Sequence, residues 1–187
     1  NSDITREVLT CLPASGGRHY HRDEDGNYWR TYVFVDKATS HNMCADANLA
    51  YEAARAFGRF QLLLADFPAV TLHETIPWFH HTPRRFSALE AAISKDSAGR
   101  RAESQPEIAF AIARKEITGS IAGAMEKGRI RRRVTHNDTK LNNVLIDNAT
   151  GKGVCVIDLD TVMPGSVLFD IGDMVRSSTI TCPEDEQ

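Results

Sequence analysis

Two short polar segments in the last third of the chain carry the residue types that phosphoryl transfer requires. They are His136-Asn137-Asp138-Thr139-Lys140-Leu141-Asn142-Asn143 and Val156-Ile157-Asp158. The reaction needs a carboxylate to orient or deprotonate the attacking hydroxyl, oxygen ligands for magnesium, and a cation facing the charge on the transferring group. Asp138 suits the first role, Asn143 and Asp158 suit the metal, and Lys140 suits the γ-phosphate.

The spacing of these residues is more specific than any one of them. His136, Asp138 and Asn143 match the template H-x-D-x-x-x-x-N, and Asp158 ends a β-prone run that follows a turn. A single His, Asp or Asn in a loop is more often a turn or cap residue. For His136 alone, we therefore favour an interpretation in which it shapes the loop by bonding to the backbone. For Asp160 two roles stay open: a contact with the groups around the metal, or a helix or turn cap.

These segments resemble the aminoglycoside phosphotransferase and choline kinase superfamily, which is related to the protein kinases. Residues 136–147 and 156–165 are most similar to its N-acetylhexosamine 1-kinase branch, and the resemblance extends from about residue 28 to the end. It implies an α+β, protein-kinase-like fold that consists mostly of the helical C-lobe, with a remnant of the N-lobe sheet. Residues 1–36 would be a partial N-lobe, and residues 37–187 a C-lobe truncated at both ends.

The resemblance also implies a role for each matching position. Asp138 would be the catalytic base, with Lys140 near the substrate and the transferring phosphate, while Asn143 and Asp158 would bind Mg2+. Asp170 and Asp173 match two acidic positions of the family whose side chains usually bond to the backbone of the catalytic loop. Phe34, Val35 and Asp36 match the hinge between the two lobes. The backbone of that hinge would hold the adenine of ATP.

The implied reaction transfers the γ-phosphate of ATP, with Mg2+ as cofactor, to a sugar hydroxyl. The favoured acceptor is the anomeric hydroxyl of an N-acetylhexosamine, while choline and aminoglycosides stay open because pocket walls cannot be read from one sequence. A catalytically silent kinase-like binding module is the alternative from another class. The presence of Asp138, Asn143 and Asp158 together favours the enzyme, since a silent module has no chemical need for all three.

The residues up to the hinge lack two parts of a kinase nucleotide site. Gly16-Gly17 stands alone without a G-x-G-x-x-G pattern, and the first lysine, Lys37, follows the hinge. Polar sequence at both termini favours the interpretation that the chain is a piece of a longer protein. We therefore expect the isolated chain to have little or no kinase activity.

A rival interpretation takes Ile157-Asp158-Leu159-Asp160-Thr161 as the D-x-D motif of a haloacid-dehalogenase-type phosphatase. Asp158 would then be a nucleophile and Asp160 an acid or base. That motif begins a doubly wound domain of βαβ units, for which too few residues follow Asp160. The rival also leaves residues 136–143 unexplained, so we reject it.

Hydrophobic and turn patterns predict the elements that position these residues. Two β-prone runs, 18–22 and 28–35, predict a hairpin, and bulky residues on both faces of the second run predict that it is covered. Apolar residues at three- and four-residue steps predict a long helix over residues 46–66. The other predicted elements are a helix over 82–94, a loop over 96–105, a helix from Pro106 to near Gly128, strands over 143–147 and 153–158, and a helix over 169–176.

The bulk composition of the 187 residues excludes several classes. A net charge of -3 argues against a nucleic-acid partner, and no apolar run is long enough for a membrane span. The cysteines (Cys11, Cys44, Cys155 and Cys182) form no C-x-x-C pair, so reduced thiols and a cytoplasmic location are expected. The run Trp78-Phe79-His80-His81 lacks a spaced carboxylate partner, and we interpret it as core plus surface and not as a metal site.

Overall fold

A computed structural model describes residues 3–180 of the chain as an α+β arrangement of helices and very short strands. Within these residues the helices are α1 (Ile4–Glu7), α2 (Ala47–Leu63), α3 (Thr82–Lys95), α4 (Gln105–Ile112), α5 (Ser120–Glu126) and α6 (Val167–Thr179). The strands are β1 (His21–Arg22), β2 (Tyr28–Trp29), β3 (Ala38–Thr39), β4 (Arg133–Thr135), β5 (Val144–Asp147), β6 (Gly153–Val156) and β7 (Met163–Gly165). All of these strand pairs are antiparallel. The α+β class predicted from the sequence is confirmed.

The N-terminal part forms the predicted hairpin, but its strands are shorter and more exposed than expected. β1 pairs with β2, and Asp23 holds the turn between them by accepting the Asn27 amide and the Trp29 indole N–H. Tyr28 and Trp29 are 65% and 60% exposed, so the prediction of a covered strand is wrong at these positions. Bulk on both faces of a strand does not tell which face has a partner.

Helix α2 organises the core, as the apolar period had predicted. Asp46 caps its first turn by accepting the Leu49 amide at 2.8 Å. One face of the helix buries Leu49, Ala53 and Phe57. The residues packed against this face from the β5 side are Leu141, Val144 and Ile146. Because burying a large apolar side chain contributes about 1.5–3 kcal/mol, this core fixes β5 and the loop before it to α2.

A buried carboxylate ties α2 to β6. Glu52 Oε2 accepts hydrogen bonds from the Arg55 guanidinium at 2.6 and 2.9 Å and from the Gly153 amide at 3.0 Å. Position 153 requires glycine because a Cβ there would lie 2.8 Å from the Glu52 backbone oxygen. The bond from Arg55 lowers the pKa of Glu52, against the effect of burial.

Helix α3 confirms the predicted helix over residues 82–94. Its N-cap is His81, whose Nδ1 accepts the Arg84 amide at 3.2 Å, and Thr82 is the first helical residue. Polar residues 96–104 form the expected loop.

The single helix predicted from Pro106 to near Gly128 is wrong. The chain leaves α4 after Ile112 and passes through a 3-10 segment, Lys115–Gly119, before α5 begins. Apolar residues keep a helical spacing across this break, so the spacing alone does not reveal that the helix is interrupted. The weak helix formers Thr118, Gly119 and Ser120 lie where the 3-10 segment ends and α5 begins.

The last third of the described chain brings its polar segments together. The strands predicted over 143–147 and 153–158 are present as β5 and β6, which pair in a hairpin, and β3 adds to the other edge of β5. β4 pairs with β7 so that Thr135 lies opposite Met163. The loop that follows β4 therefore lies beside the segment that precedes β7. Helix α6 is capped by Ser166, whose Oγ accepts the Leu168 amide at 3.2 Å.

Candidate active site

The loop after β4 brings Asp138, Lys140 and Asn143 together. Lys140 Nζ lies 3.4 Å from Asp138 Oδ2. The Asn143 side-chain amide donates to the Asp138 backbone oxygen at 2.8 Å and to Asp138 Oδ2 at 3.1 Å. These contacts orient the carboxylate while its side chain stays partly exposed. A base that receives a proton from a bound hydroxyl requires both conditions.

Asn143 and Asp158 lie at adjoining ends of β5 and β6. The Ile157 amide donates to the Asn143 backbone oxygen at 2.9 Å, directly before Asp158. Because Asn143 Nδ2 is committed to Asp138, Asn143 Oδ1 is the end of that amide left for a cation. Asp158 is exposed and makes no capping bond to the turn that follows it. An amide oxygen and a carboxylate are the hard donors that Mg2+ takes when phosphates complete its coordination, so the two residues fit this ion.

Asp170, on α6, forms hydrogen bonds with the backbone of this loop. Its carboxylate accepts the amides of His136 at 3.0 Å and Asn137 at 2.8 Å, and Gln61 Nε2 adds a bond at 2.7 Å. The Thr139 hydroxyl donates to the Asp170 backbone oxygen at 2.5 Å. Burial raises the pKa of Asp170, and the two backbone amides oppose that rise because they favour the ionised form. The predicted tie between Asp170 and the catalytic loop is confirmed.

Asp173 differs from this prediction. Its carboxylate pairs with the Arg176 guanidinium at 2.9 Å, one turn along α6. No contact between Asp173 and the loop backbone occurs among the described residues. A spacing of three residues puts two carboxylates on one side of a helix, but only the one nearer the loop reaches its amides.

His136 is fully buried and joins the loop to the end of β6. Its Nδ1 accepts the Asp138 amide at 3.3 Å, and its Nε2 lies 2.9 Å from the Ile157 backbone oxygen. These partners assign the neutral imidazole with its proton on Nε2. Phe57 and Phe60 contact the ring edge-on, at centroid distances of 5.3 and 5.7 Å. The interpretation of His136 as a residue that shapes the loop is confirmed.

Asn137 is a site residue that the sequence-based reasoning missed. It is buried, and its backbone is left-handed with φ 67°. Asn137 Nδ2 donates to the backbone oxygens of Thr135 at 3.1 Å and Thr161 at 2.9 Å. Thr161 in turn donates its hydroxyl to the His136 backbone oxygen at 2.7 Å. Asparagine adopts positive φ more readily than most residues, and that preference was the available signal.

Asp160 is engaged by the N-terminal hairpin. Its carboxylate forms an ion pair with Arg30, and its backbone oxygen accepts the Thr75 hydroxyl at 3.0 Å. The hydrogen bond that Arg30 donates to Asp160 raises the pKa of Arg30. The rival phosphatase interpretation fails structurally as well, because the strand before Asp158 belongs to an antiparallel hairpin and not to a doubly wound parallel sheet.

The predicted hinge residues differ in what their backbone groups contact. Phe34 is 83% exposed and Val35 is buried, and their backbone groups make no hydrogen bond with other described residues. The Asp36 backbone oxygen accepts the Arg6 guanidinium at 3.0 Å, and the same guanidinium lies 2.9 Å from Asp147 Oδ2. Arg6 thus ties the residue after Val35 to the end of β5.

A family model described as the phosphotransferase enzyme family matches residues 5–186. The match covers nearly the whole chain, so the chain belongs to this family. Kinase-type phosphotransfer involving a small substrate, predicted from the loop, is confirmed at that level. The protein-kinase-like α+β fold that the motifs implied agrees with this membership. None of the helices within residues 3–180 combines the length and apolar character needed to cross a bilayer.

Proposed function

Starting from this membership, we propose that the chain carries the base and metal ligands of an ATP- and magnesium-dependent kinase for a small hydroxyl acceptor. The observation that carries the proposal is the contact among Asp138, Lys140 and Asn143. In this arrangement Asp138 accepts the proton of the acceptor hydroxyl, and Lys140 faces the negative charge of the transferring phosphate. Asp138 is held from two sides, so it needs little reorganisation when the acceptor arrives.

Asn143 Oδ1 and the Asp158 carboxylate would hold Mg2+. The ion, when bound, neutralises charge on the β- and γ-phosphates. Asn143 then has two tasks, because the Nδ2 of the same amide orients Asp138. The bond between the Ile157 amide and the Asn143 backbone oxygen keeps the two ligands in register. This coupling supports a site in which base and metal ligands are positioned together.

Adenine binding is proposed at the hinge, through the backbone of Phe34 and Val35. Within residues 3–180 their peptide groups make no hydrogen bond, whereas the Asp36 backbone oxygen is already engaged by Arg6. We therefore assign Asp36 an indirect role, in which its bond to Arg6 fixes the backbone that follows Val35. We also propose that residues 1–36 belong to an N-lobe and residues 37–187 to a C-lobe.

An N-acetylhexosamine, phosphorylated at its anomeric hydroxyl, is the acceptor that we propose first. The resemblance of residues 136–147 and 156–165 to that branch supports this choice. Choline and aminoglycosides are the alternatives, since kinases for these acceptors use the same base and metal residues. Neither a G-x-G-x-x-G loop nor a lysine precedes Lys37 in these 187 residues. We therefore expect the isolated chain to turn over slowly or not at all.

The test measures Mg2+-dependent ATP binding by calorimetry and phosphoryl transfer to N-acetylhexosamines, choline and aminoglycosides. Both the 187-residue chain and the chain extended by whatever its gene encodes on either side are assayed. Asp138→Asn should lower turnover by roughly a hundredfold or more while retaining ATP binding. Asp158→Asn should abolish the Mg2+ dependence of binding. Asp66→Asn, in an exposed turn after α2, is the control and should change neither quantity.

The outcomes separate the proposed functions. Turnover with one acceptor class identifies the substrate, and loss of that turnover in Asp138→Asn supports the assigned base. Mg2+-dependent ATP binding without turnover of any acceptor, in the extended chain, would replace the enzyme with the silent binding module. Full activity of the isolated 187 residues would contradict the expectation that further nucleotide-binding parts are needed.

A further inference from the structure

We propose that His80 is a positioning residue for Asp138, an inference that rests on the proposed kinase function. His80 Nε2 lies 2.7 Å from the Asn137 backbone oxygen, and a carbonyl oxygen only accepts, so Nε2 is the donor. On the opposite edge of the same peptide unit, the Asp138 amide donates to His136 Nδ1 at 3.3 Å. A peptide unit is planar, so these two imidazoles fix its rotation. They thereby set the direction in which Asp138 leaves the backbone.

The peptide unit between Asn137 and Asp138 should rotate when one of its hydrogen bonds is lost. Asn137 lies at φ 67°, in the left-handed region that few non-glycine residues adopt. Conformations of this kind persist only where the surroundings over-determine them. Asp170 fixes the two peptides before His136 and before Asn137 through their amides, but the Asn137 backbone oxygen has His80 as its partner among the described residues. The orientation of the peptide after Asn137 therefore depends on the shorter bond from His80 together with the longer bond to His136.

His80 belongs to a strap, residues 74–81, whose contacts converge on the site. The Thr75 hydroxyl donates to the Asp160 backbone oxygen at 3.0 Å, and the Ile76 amide lies 3.3 Å from Met163 Sδ. Together with the His80 bond, these contacts reach the turn after Asp158, strand β7 and the catalytic loop. A strap without helix or strand that contacts all three segments is placed to hold them in register.

The strap is itself fixed in shape. Trp78 has φ 63°, which is rare for a bulky side chain, and its amide donates to Glu74 Oε1 at 3.1 Å. The Arg84 guanidinium lies 4.3 Å from the centroid of the indole ring. The His80 ring stacks on Phe169 of α6 with a centroid distance of 5.0 Å. His80 is thus held against α6 while it donates to the loop.

Sequence alone assigned Trp78-Phe79-His80-His81 to core plus surface, and it could not separate the two histidines. His81 caps α3 through its Nδ1, whereas His80 turns towards Asn137. Adjacent side chains in an irregular segment point in different directions, and a local pattern does not tell which one meets a distant loop.

A matched pair of substitutions tests the proposal. In His80→Gln, the side-chain amide nitrogen lies as many bonds from Cβ as Nε2 does in histidine, so it can still donate to the Asn137 backbone oxygen. In His80→Asn, the amide nitrogen lies one bond closer to Cβ and does not reach that oxygen. In the 187-residue chain, NMR follows the chemical shift and hydrogen exchange of the Asp138 amide. In the form of the protein that turns over, kcat and KM for ATP are measured. His73→Gln and His73→Asn, at an exposed position before the strap, are the controls, and unfolding temperatures are compared throughout.

His80→Asn should lower kcat by about tenfold to a hundredfold with KM for ATP unchanged, because the base is displaced and not the nucleotide. Its Asp138 amide should shift and exchange faster. His80→Gln should restore both quantities, at an unfolding temperature close to that of His80→Asn. Equal losses in the two variants, or an unmoved Asp138 amide in His80→Asn, would overturn the proposal. If the wild-type protein turns over no acceptor, the kinase proposal fails, and the amide readout still decides whether His80 holds the peptide.

Discussion

Replacing Asp170 with asparagine tests whether the loop around Asp138 depends on a buried carboxylate. In the native protein the two oxygens of Asp170 accept the amides of His136 and Asn137. Asparagine keeps the size of the side chain but offers one oxygen and one NH2 group. Whichever way that amide is turned, one backbone N–H faces another donor. Since both loop residues are buried, water does not replace the missing acceptor.

The expected change in the free energy of unfolding combines two destabilising contributions and one stabilising contribution. A hydrogen bond to a charged group contributes about 1.5–3 kcal/mol, and a buried donor without a partner costs about 1–3 kcal/mol. The gain is relief from burying a charge, the same effect that raises the pKa of Asp170. We therefore expect Asp170→Asn to lower the free energy of unfolding by about 2–4 kcal/mol. That is a large share of the roughly 5–15 kcal/mol that stabilises a typical protein.

Urea unfolding followed by circular dichroism measures this change, and hydrogen exchange reports on the amides of His136 and Asn137. Asp173→Asn is the matched control, because it makes the same chemical change on the same helix. Asp173 accepts from one partly exposed arginine and from no loop amide among the described residues, so its substitution should cost less than that of Asp170. Equal stability of the two variants, with unchanged exchange at His136 and Asn137, would refute the reasoning.

Three further predictions concern packing, acid stability and thiol reactivity. A Cβ on Gly165 would overlap the Thr135 side chain, so Gly165→Ala should lower the free energy of urea unfolding by about 1–3 kcal/mol. Gly172→Ala, in open space on α6, should instead raise it by up to about 1 kcal/mol. The pKa of Glu52 is lowered in the native protein, so the unfolded chain binds more protons and stability falls as pH drops below the ordinary glutamate pKa. Glu52→Gln should flatten this decline in urea midpoints between about pH 5 and pH 3. Burial raises the pKa of the Cys155 thiol to about 11, so mass spectrometry should find Cys155 alkylated by iodoacetamide only after unfolding.

The parts of the fold that rest on local patterns could be predicted from the sequence. Helix α2 was predictable because Leu49, Ala53 and Phe57 recur at helical spacing on one face. The grouping of Asp138, Asn143 and Asp158 was predictable for a similar reason. One loop and one tight hairpin bring these three residues together, so the distances along the chain are short.

Contacts between distant segments could not be predicted in this way. His80 meets the Asn137 backbone across 57 residues, and Arg30 meets Asp160 across 130. No local preference of either partner encodes such a contact, because it depends on how helices and sheets pack. The exposure of Trp29 was missed for the same reason. Whether an apolar strand face is covered is a property of its neighbours.

The left-handed backbone at Asp158 and Asn137 affects how substitutions at this site should be designed. Their φ angles are 58° and 67°, and a left-handed conformation costs most L-residues about 1–2 kcal/mol. Asparagine, aspartate and glycine tolerate it better than alanine does. An alanine at position 158 would remove the proposed metal ligand and also push the chain towards another conformation, so lost activity would have two causes. Asp158→Asn and Asn137→Asp keep the backbone preference, and their effects can be attributed to the side chain alone.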